Sequence, residues 1–559
     1  MSIADEVSNW RVDRAPSLSD HRCIRFDIAE YNYITKVSRN LKRADWAQYE
    51  ITCQIKLIEC TPVNLSTPEE LDNAALLVTS ALHSALDECC PLRPVSFRRK
   101  TNYWWTTELA AKRRQIKSAW NRASNTDTPG AWEDYRVLKR VYKSLIRKAK
   151  RSSWQKFCSS FDKLHDSHRI GKLLKGVRKV QLDVLQKTDG TYTSDSRETL
   201  ELMMSVHYPG SKQIERGSSY YAPRLNWDEG LSFRFLTEER IATSINSFDA
   251  YKSPGEDMVS PVMLQRAGRA LVVILVRLFR ASLRLSYVPA TWCRARAVFI
   301  PKPGKPSYLT AKAFRPITLT SFFLKVLERL IYWHLNECIG GLNSKMHPSQ
   351  LAFKQGYSTE AALHTAIQKL EKAVFNKQLA LALFLDIEGA FSNVSLAAIR
   401  YALLYAGIEI HLVTWIMGML KCQRVTATLG NHSTTVRLTR GTPQGGVLSP
   451  LLFNLVMSEL LRKLDDVPGV YAQAYADDVL LMATGIDSFT ISRRVQEGIE
   501  AVREWASESG LSLCNNKTFA TMFTWKRKWN YHPLRGPSIR KIQKFLNFFL
   551  LLYKVANIS

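Results

Sequence analysis

A chain of 559 residues with 46% hydrophobic content is long enough for about two to four domains with ordinary cores. Its 78 Lys and Arg against 50 Asp and Glu leave a formal net charge of +28, which excludes an acidic or neutral surface and points to a polyanionic partner, nucleic acid or an anionic membrane. Ten Cys without CxxC or CxxC…H spacing exclude a zinc ribbon or knuckle and read as reduced thiols of an intracellular protein.

The N-terminal "MSIADEVSNW" lacks the apolar core of a signal peptide. Next, "SLSDHRCIRFDI" reads as a short strand after a polar turn, and residues 40–95 as amphipathic helices. Across 97–157, basic residues alternate with aromatics at helical spacing, for example Trp132, Tyr135, Lys139 and Tyr142. Two readings fit that pattern: solvated helices packed by their aromatics, or a helical nucleic-acid-binding segment. The local positive excess favours the second. Residues 160–230 are polar and loop-like.

A globular block begins near Leu236. Its patterns predict helices at 237–248 and 260–287, a strand at "ARAVFIP", helices at 319–337 and 358–376, and a strand at "LALALFLDI". "ALVVILVRLFRASLRL" is interrupted by Arg277, Arg280 and Arg284, and "FLNFFLLLYKV" is too short to cross a bilayer. The polyanion is therefore nucleic acid rather than lipid, with no membrane and no stable protein partner expected.

The chemistry concentrates in three places. "LALALFLDIEGAFSNV" is a buried-strand pattern that ends in one carboxylate, Asp386. Alone, Asp386 reads as a cap for the following helix. "VYAQAYADDVLLMAT" reads as strand, tight turn, strand, with Asp477 and Asp478 at the turn. Two strands ending in Asp386 and Asp477 would bring three carboxylates together, a set suited to two Mg²⁺ ions, which prefer hard oxygen ligands. Two such ions roughly 3.5–4 Å apart serve in-line phosphoryl displacement. Between these strands lies "TRGTPQGGVLSPLLFNLVMSEL", where Gly441, Gly445 and Gly446 surround Pro443 and Gln444 and permit close backbone approach.

In chain order, "YKSPGEDMVSPVML", "ARAVFIPKPGKP", "FRPITLTSFFLKVLERLI", "HPSQLAFKQGYSTEAAL", "LFLDIEGAFSNV", "GTPQGGVLSPLLFNL", "AYADDVLL" and "GLSLCNNKT" resemble the reverse transcriptases of non-LTR (LINE-type) retrotransposons, in the jockey-like and ribosomal-DNA-inserting group. The matching pieces span about residues 250–520. The resemblance implies an α+β fold: right-hand polymerase fingers and palm, with an antiparallel palm sheet and flanking helices. It implies RNA-directed DNA polymerase activity, with an RNA template, a DNA primer or target, dNTPs and two Mg²⁺ ions. Asp386 and Asp477 would bind both metals, and Asp478 would complete the site. Phe391 would pack under the incoming sugar and exclude a 2′-hydroxyl, while Gln444, with Gly445 beside it, would contact the nucleotide. Lys302 and Arg315 would hold the triphosphate. Lys517 would be the general acid toward departing pyrophosphate. Met258 stands where the family often has Gly.

The resemblance also sets domain expectations. Residues 1–30 resemble the end of an endonuclease/exonuclease/phosphatase-type domain, with Asp20 and His21 as its Asp–His pair. Only a C-terminal remnant of that domain is expected, without nuclease activity. Residues 31–230 would form a helical basic linker and 231–545 the reverse transcriptase domain, with an aberrant tail at 546–559 and the thumb largely absent. The family places such proteins in the nucleus, with the cytoplasm as the alternative. A competing reading is a catalytically dead, basic RNA-binding remnant of a transposon.

Overall fold

The computed structural model describes residues 7–12, 24–28, 37–60, 64–94, 102–159, 182, 184–213, 234–338, 342–514, 517–524 and 534. Contacts divide the chain into two compact units, Met1–Leu41 with Pro91–Lys179, and Lys42–Cys90 with Val180–Ser559. The division runs through the segment read as a linker, because residues 42–90 cluster with the unit that carries the aspartates. Asp20, His21 and the 546–559 tail lie outside the described residues.

In the first unit, β1 (Val7–Val12) pairs antiparallel with β2 (Ile24–Ile28), and β3 (Val37–Ser38) with β4 (Arg93–Pro94). Its main feature is a helical hairpin of Thr107–Thr126 and Pro129–Ser159. The Thr106 hydroxyl caps the first helix by accepting from the Leu109 amide. Asp127, in the left-handed region, ends that helix and accepts from the Trp132 indole N–H (2.8 Å). Leu109, Ile116, Tyr135 and Tyr142 form the buried seam, flanked by Trp104, Trp120, Trp132 and Leu138. The aromatics singled out by spacing are thus the packing face of the hairpin. The rings pair the two helices, and Lys139 and Lys150 lie over the Tyr135 and Trp104 rings.

The second unit is mixed α+β with two sheets. One has the order β5 (Lys212–Gln213), β10 (His432–Arg437), β9 (Arg424–Leu429), β6 (Arg294–Pro301), β7 (Phe314–Leu319). The other is fully antiparallel, in the order β11 (Val470–Tyr475), β12 (Asp478–Gly485), β8 (Leu379–Asp386), β13 (Phe519–Phe523). The continuous apolar run of β8 follows from burial on both faces. Ala380 and Ala382 face the Thr359–Phe375 helix through Ala366, Leu370 and Val374. On the opposite face Leu481, the cross-strand partner of Leu383, packs against Gly498 of the Ser488–Ser509 helix.

The Trp46–Glu59 and Pro68–Cys89 helices, each with a side-chain N-cap, pack in this unit beside the Gly268–Arg284 helix. Asp72 ties them down by accepting from the Tyr287 hydroxyl (2.9 Å) and the Ala290 amide (2.7 Å). The helix predicted at 260–287 is two helices, Pro261–Gln265 and Gly268–Arg284, because Gly268 takes a positive φ of 77° at the break. Part of the stretch read as loop folds instead. Asp195 caps a Ser196–His207 helix, whose Leu200 and Met204 pack on Ala295, Val425 and Val436. Cys293 and Cys422 are joined as a disulfide, with Cα atoms 5.7 Å apart, which corrects the reading of all thiols as reduced. Adjacent starts of β6 and β9 bring them together, and the Arg424 amide donates to the Cys293 carbonyl. Among the described residues, no helix is long and apolar enough to cross a membrane.

Candidate active site

The site starts from a two-residue turn. Tyr475 pairs with Asp478 across the β11–β12 hairpin, leaving Ala476 and Asp477 as the turn. Asp477 is therefore in the turn and does not end a strand. Ala476 sits at φ 55°, a conformation that costs a non-glycine residue about 1–2 kcal/mol. The register then places Asp478 directly opposite Asp386, the last residue of β8. Like charges opposite one another destabilise a sheet, so something must offset them. In this structure it is Lys517, whose Nζ donates to both Asp386 oxygens at 2.9 and 2.8 Å. The segment bearing Lys517 is fixed by the Cys514 amide donating to the Asp386 carbonyl (2.8 Å).

The electrostatics mark incomplete compensation. Burial, then the neighbouring Asp386, raises Asp477 above the usual carboxylate range. Burial, then the carboxylates of Asp477 and Asp386, pushes Asp478 up to about 6. Burial lowers the Lys517 ammonium, but its bonds to Asp386 outweigh this and leave it raised. Three carboxylates with excess negative charge are the hard-oxygen chemistry that divalent cations bind. The side chains are not already gathered as a cage: among the described residues, no group of three His, Cys, Asp or Glu is set to hold a metal. Both Asp386 oxygens are engaged by the Lys517 ammonium.

Lys302 and Arg315 come from the neighbouring five-stranded sheet. Arg315 lies in β7 opposite Ile300, and Lys302 follows β6. The Lys302 ammonium donates to the Lys312 carbonyl (2.9 Å), and Lys312 in turn pairs with Glu388 (2.6 Å), just past Asp386. Burial, then the nearby charges of Lys517, Lys305 and Arg315, lowers Lys302. Arg315 acts on Asp477 in the opposite sense to the carboxylates. The three predicted bases and three predicted acids therefore share one electrostatic neighbourhood.

The glycine-rich turn joins the two sheets. Gly441 has φ 78°, and a Cβ there would sit 2.6 Å from the Phe391 and Ser392 carbonyl oxygens. That closeness lets the Thr442 amide donate to the Phe391 carbonyl (2.7 Å). Gly445 has φ 132°, and its Cβ would meet the Thr318 oxygen at 2.6 Å, while the Gln444 carbonyl accepts from the Thr318 amide (2.8 Å). Phe391 is held between Phe453 and Phe353, with ring centroids at 5.1 and 6.5 Å. Beside Gln444, a small hollow is lined by Pro316, Ser392, Thr442 and Tyr208 among others.

One residue escaped the sequence reading. Glu328, on the Phe322–Cys338 helix, is completely buried and accepts from the Val447 amide at 3.1 Å, just beyond the glycines. Burial pushes its carboxyl up to about 7. The available signal was a single acid within the apolar face of "FFLKVLERLI". Met258, noted as a departure, sits at φ 56°, which explains why the resembled pattern favours Gly there.

Comparison with known proteins gives an independent reading. Residues 300–535 match the family model for reverse transcriptase (RNA-dependent DNA polymerase). The chain is 26% identical to a putative 115 kDa protein in the type-1 retrotransposable element R1DM of Drosophila melanogaster, over 91% of this chain and 49% of that protein. It is also 26% identical to a Pol polyprotein from the type-1 retrotransposable element R1 of Bradysia coprophila, over 95% of this chain and 53% of that one. It is 25% identical to the RNA-directed DNA polymerase from the mobile element jockey of Drosophila melanogaster, over 51% of this chain and 32% of that protein. The chain thus spans about half the length of the first two relatives.

Proposed function

We propose that this chain, which belongs to the reverse transcriptase family of non-LTR retrotransposons, is an RNA-directed DNA polymerase that extends a DNA 3′-hydroxyl on an RNA template. The observation that carries this reading is the register of Asp478 against Asp386 with Asp477 in the adjoining turn. In polymerase terms, the four-stranded sheet is the palm and the five-stranded sheet with its helices the fingers.

The 3′-oxygen attacks the α-phosphorus of the dNTP, the bond to the bridging oxygen breaks, and pyrophosphate leaves. Asp386, Asp477 and Asp478 would hold two Mg²⁺ ions, which when bound supply charge neutralisation at the attacking and leaving oxygens. Lys302 and Arg315 bind the triphosphate as point charge and fork. Gln444 and Gly445 present backbone and side chain to the nucleotide. Phe391, buttressed by Phe353 and Phe453, closes the space a 2′-hydroxyl would occupy. Lys517 must leave Asp386 before it can give a proton to pyrophosphate, so its bidentate contact describes a resting arrangement.

The test is primer extension on poly(rA)/oligo(dT) with Mg²⁺ and dTTP, comparing wild type with Asp477→Ala. Extension in the wild type alone supports the polymerase. RNA binding that weakens with salt, without extension by either protein, supports the catalytically dead binder instead.

A further inference from the structure

We propose that Glu328 is a positioning residue for the choice of deoxyribonucleotide over ribonucleotide: it holds the glycine turn at 443–447 and the start of the Ser449–Asp465 helix, and through them the wall that meets the sugar. The inference rests on the polymerase reading and deepens it, by naming a residue that acts on that site from outside.

A turn built on Gly445 and Gly446 has backbone freedom, and Gly445 already sits at φ 132°. Its internal ties are the Gly446 amide and the Ser449 hydroxyl, both donating to the Pro443 carbonyl (3.0 and 2.8 Å). Further ties come from one continuous piece of chain, β7 and the Phe322–Cys338 helix that follows it. Thr318 of β7 donates its amide to the Gln444 carbonyl (2.8 Å). On the helix, Glu328 accepts from the Val447 amide (3.1 Å), and the Leu448 amide also stabilises its charge. Leu448 precedes the Ser449–Asp465 helix and has no side-chain acceptor for the free amides of the first turn. Glu328 supplies that acceptor from another helix.

A carboxyl that only filled space would be an expensive choice. Glu328 is 1% exposed, and an apolar side chain would pack there without the cost of burying an acid. Its neighbour Lys325 places its ammonium over the Phe322 ring at 4.6 Å. What the acid adds is a hold on two backbone amides, and those amides lead to the sugar site. Phe453 lies near the start of the Ser449–Asp465 helix, and its ring packs on Phe391 with centroids 5.1 Å apart. Thr442, at the other end of the turn, donates its amide to the Phe391 carbonyl (2.7 Å). Phe391 is therefore held by ring and by backbone from the two segments that meet at Glu328, with Gln444 between them. Misplacement by about 1 Å can cost about a hundredfold in rate, so a turn that drifts by that much alters what the site accepts.

Discrimination is measured with the full chain by extension on poly(rA)/oligo(dT), with dTTP and UTP in parallel, as the ratio of the two kcat/KM values. That ratio does not depend on how much of a preparation is folded, so a merely structural role would leave it unmoved. Glu328→Asp keeps the charge but draws the carboxyl back by one methylene, and is expected to lower the ratio about fivefold or more. Glu328→Gln keeps the reach and an acceptor oxygen, and its ratio should stay within about twofold of wild type. Gly446→Ala, whose Cβ would press on the Ser449 hydroxyl at 2.8 Å and the Glu328 carboxyl at 3.2 Å, should lower the ratio as Glu328→Asp does. It decides the matter if Glu328→Asp does not fold. In a Phe391→Ala background, Glu328→Asp should lower the ratio no further, because both changes act on one wall. A wild-type ratio in Glu328→Asp or Gly446→Ala overturns the inference. So do equal losses in the Asp and Gln variants, or losses that add to that of Phe391→Ala. Absence of extension by the wild type is a different result: it overturns the polymerase reading, and this role with it.

Discussion

The helical hairpin and the four-stranded sheet solve opposite problems with the same chain. The hairpin joins two helices adjacent in sequence through a seam of Leu109, Ile116, Tyr135 and Tyr142, and leaves its charges in water. The sheet gathers residues from distant segments: Asp386 is buried and Asp477 half-buried, while Asp478 and Lys517 keep an exposed side. Lys517 reaches Asp386 across 131 positions, and Asp477 and Asp478 are both raised by their burial. Exposed cations cost the hairpin little, whereas the sheet holds its carboxylates against their own repulsion. A region assembled for chemistry should therefore lose activity and gain stability when its charges are removed, and a region assembled by packing should do the reverse.

That contrast can be tested in steps. Asp477→Ala should lower extension by about a thousandfold or more, some 4 kcal/mol in the barrier. Its melting temperature should hold or rise, because a carboxylate destabilised by burial is gone; a marked fall would break the comparison. Gly441→Ala should cost about 2–4 kcal/mol, combining a left-handed backbone with a Cβ pressed on two carbonyl oxygens. Thermal melts would read this loss, and near-neutral behaviour would mean that the turn can relax away from Phe391.

Glu328 offers a pH test. Its carboxyl is raised from 4.5 to about 7 by complete burial, so the folded state holds a proton that the unfolded chain has lost across that window. Stability should therefore fall as pH rises from about 4.5 to 7, by about 3 kcal/mol from this group, and level off above it. Glu328→Gln should flatten the fall in melts taken between pH 4.5 and 8. Tyr142→Ala should cost the hairpin about 2 kcal/mol and speed amide exchange across 107–159, leaving the amides of β8 and β12 protected. Loss of protection in both would mean the two regions melt as one. Met258→Gly, at φ 56°, should shift stability by no more than about 1 kcal/mol, since relieved strain and added unfolded-state entropy nearly offset.

Much of the site was legible because its signals are local. A doubly buried strand must be apolar throughout, so "LALALFLD" announced β8 and the carboxylate at its end. A tight turn was visible as the adjacent acids Asp477 and Asp478 between apolar runs, whereas the structure makes Ala476 and Asp477 the turn and starts β12 at Asp478. Glu328 was less visible, since its partner is the backbone amide of Val447, which carries no side-chain signature. The aromatics of the hairpin were misleading for a similar reason. Helical spacing states which residues share a face, and only the packing of Thr107–Thr126 shows that this face is covered.

By itself, the sequence determined the strands that carry the acids, most of the helices after residue 236, and a large positive charge that points to a polyanion. Those properties follow from periodicity, turn chemistry and composition, each readable within a few residues. Tertiary structure decided that Asp478 faces Asp386, that Lys517 occupies that carboxylate, that Gly441 and Gly445 press against Phe391 and Thr318, and that Trp154 rather than Tyr135 meets solvent. These depend on strand register and close backbone contact between distant segments, which local periodicity cannot specify.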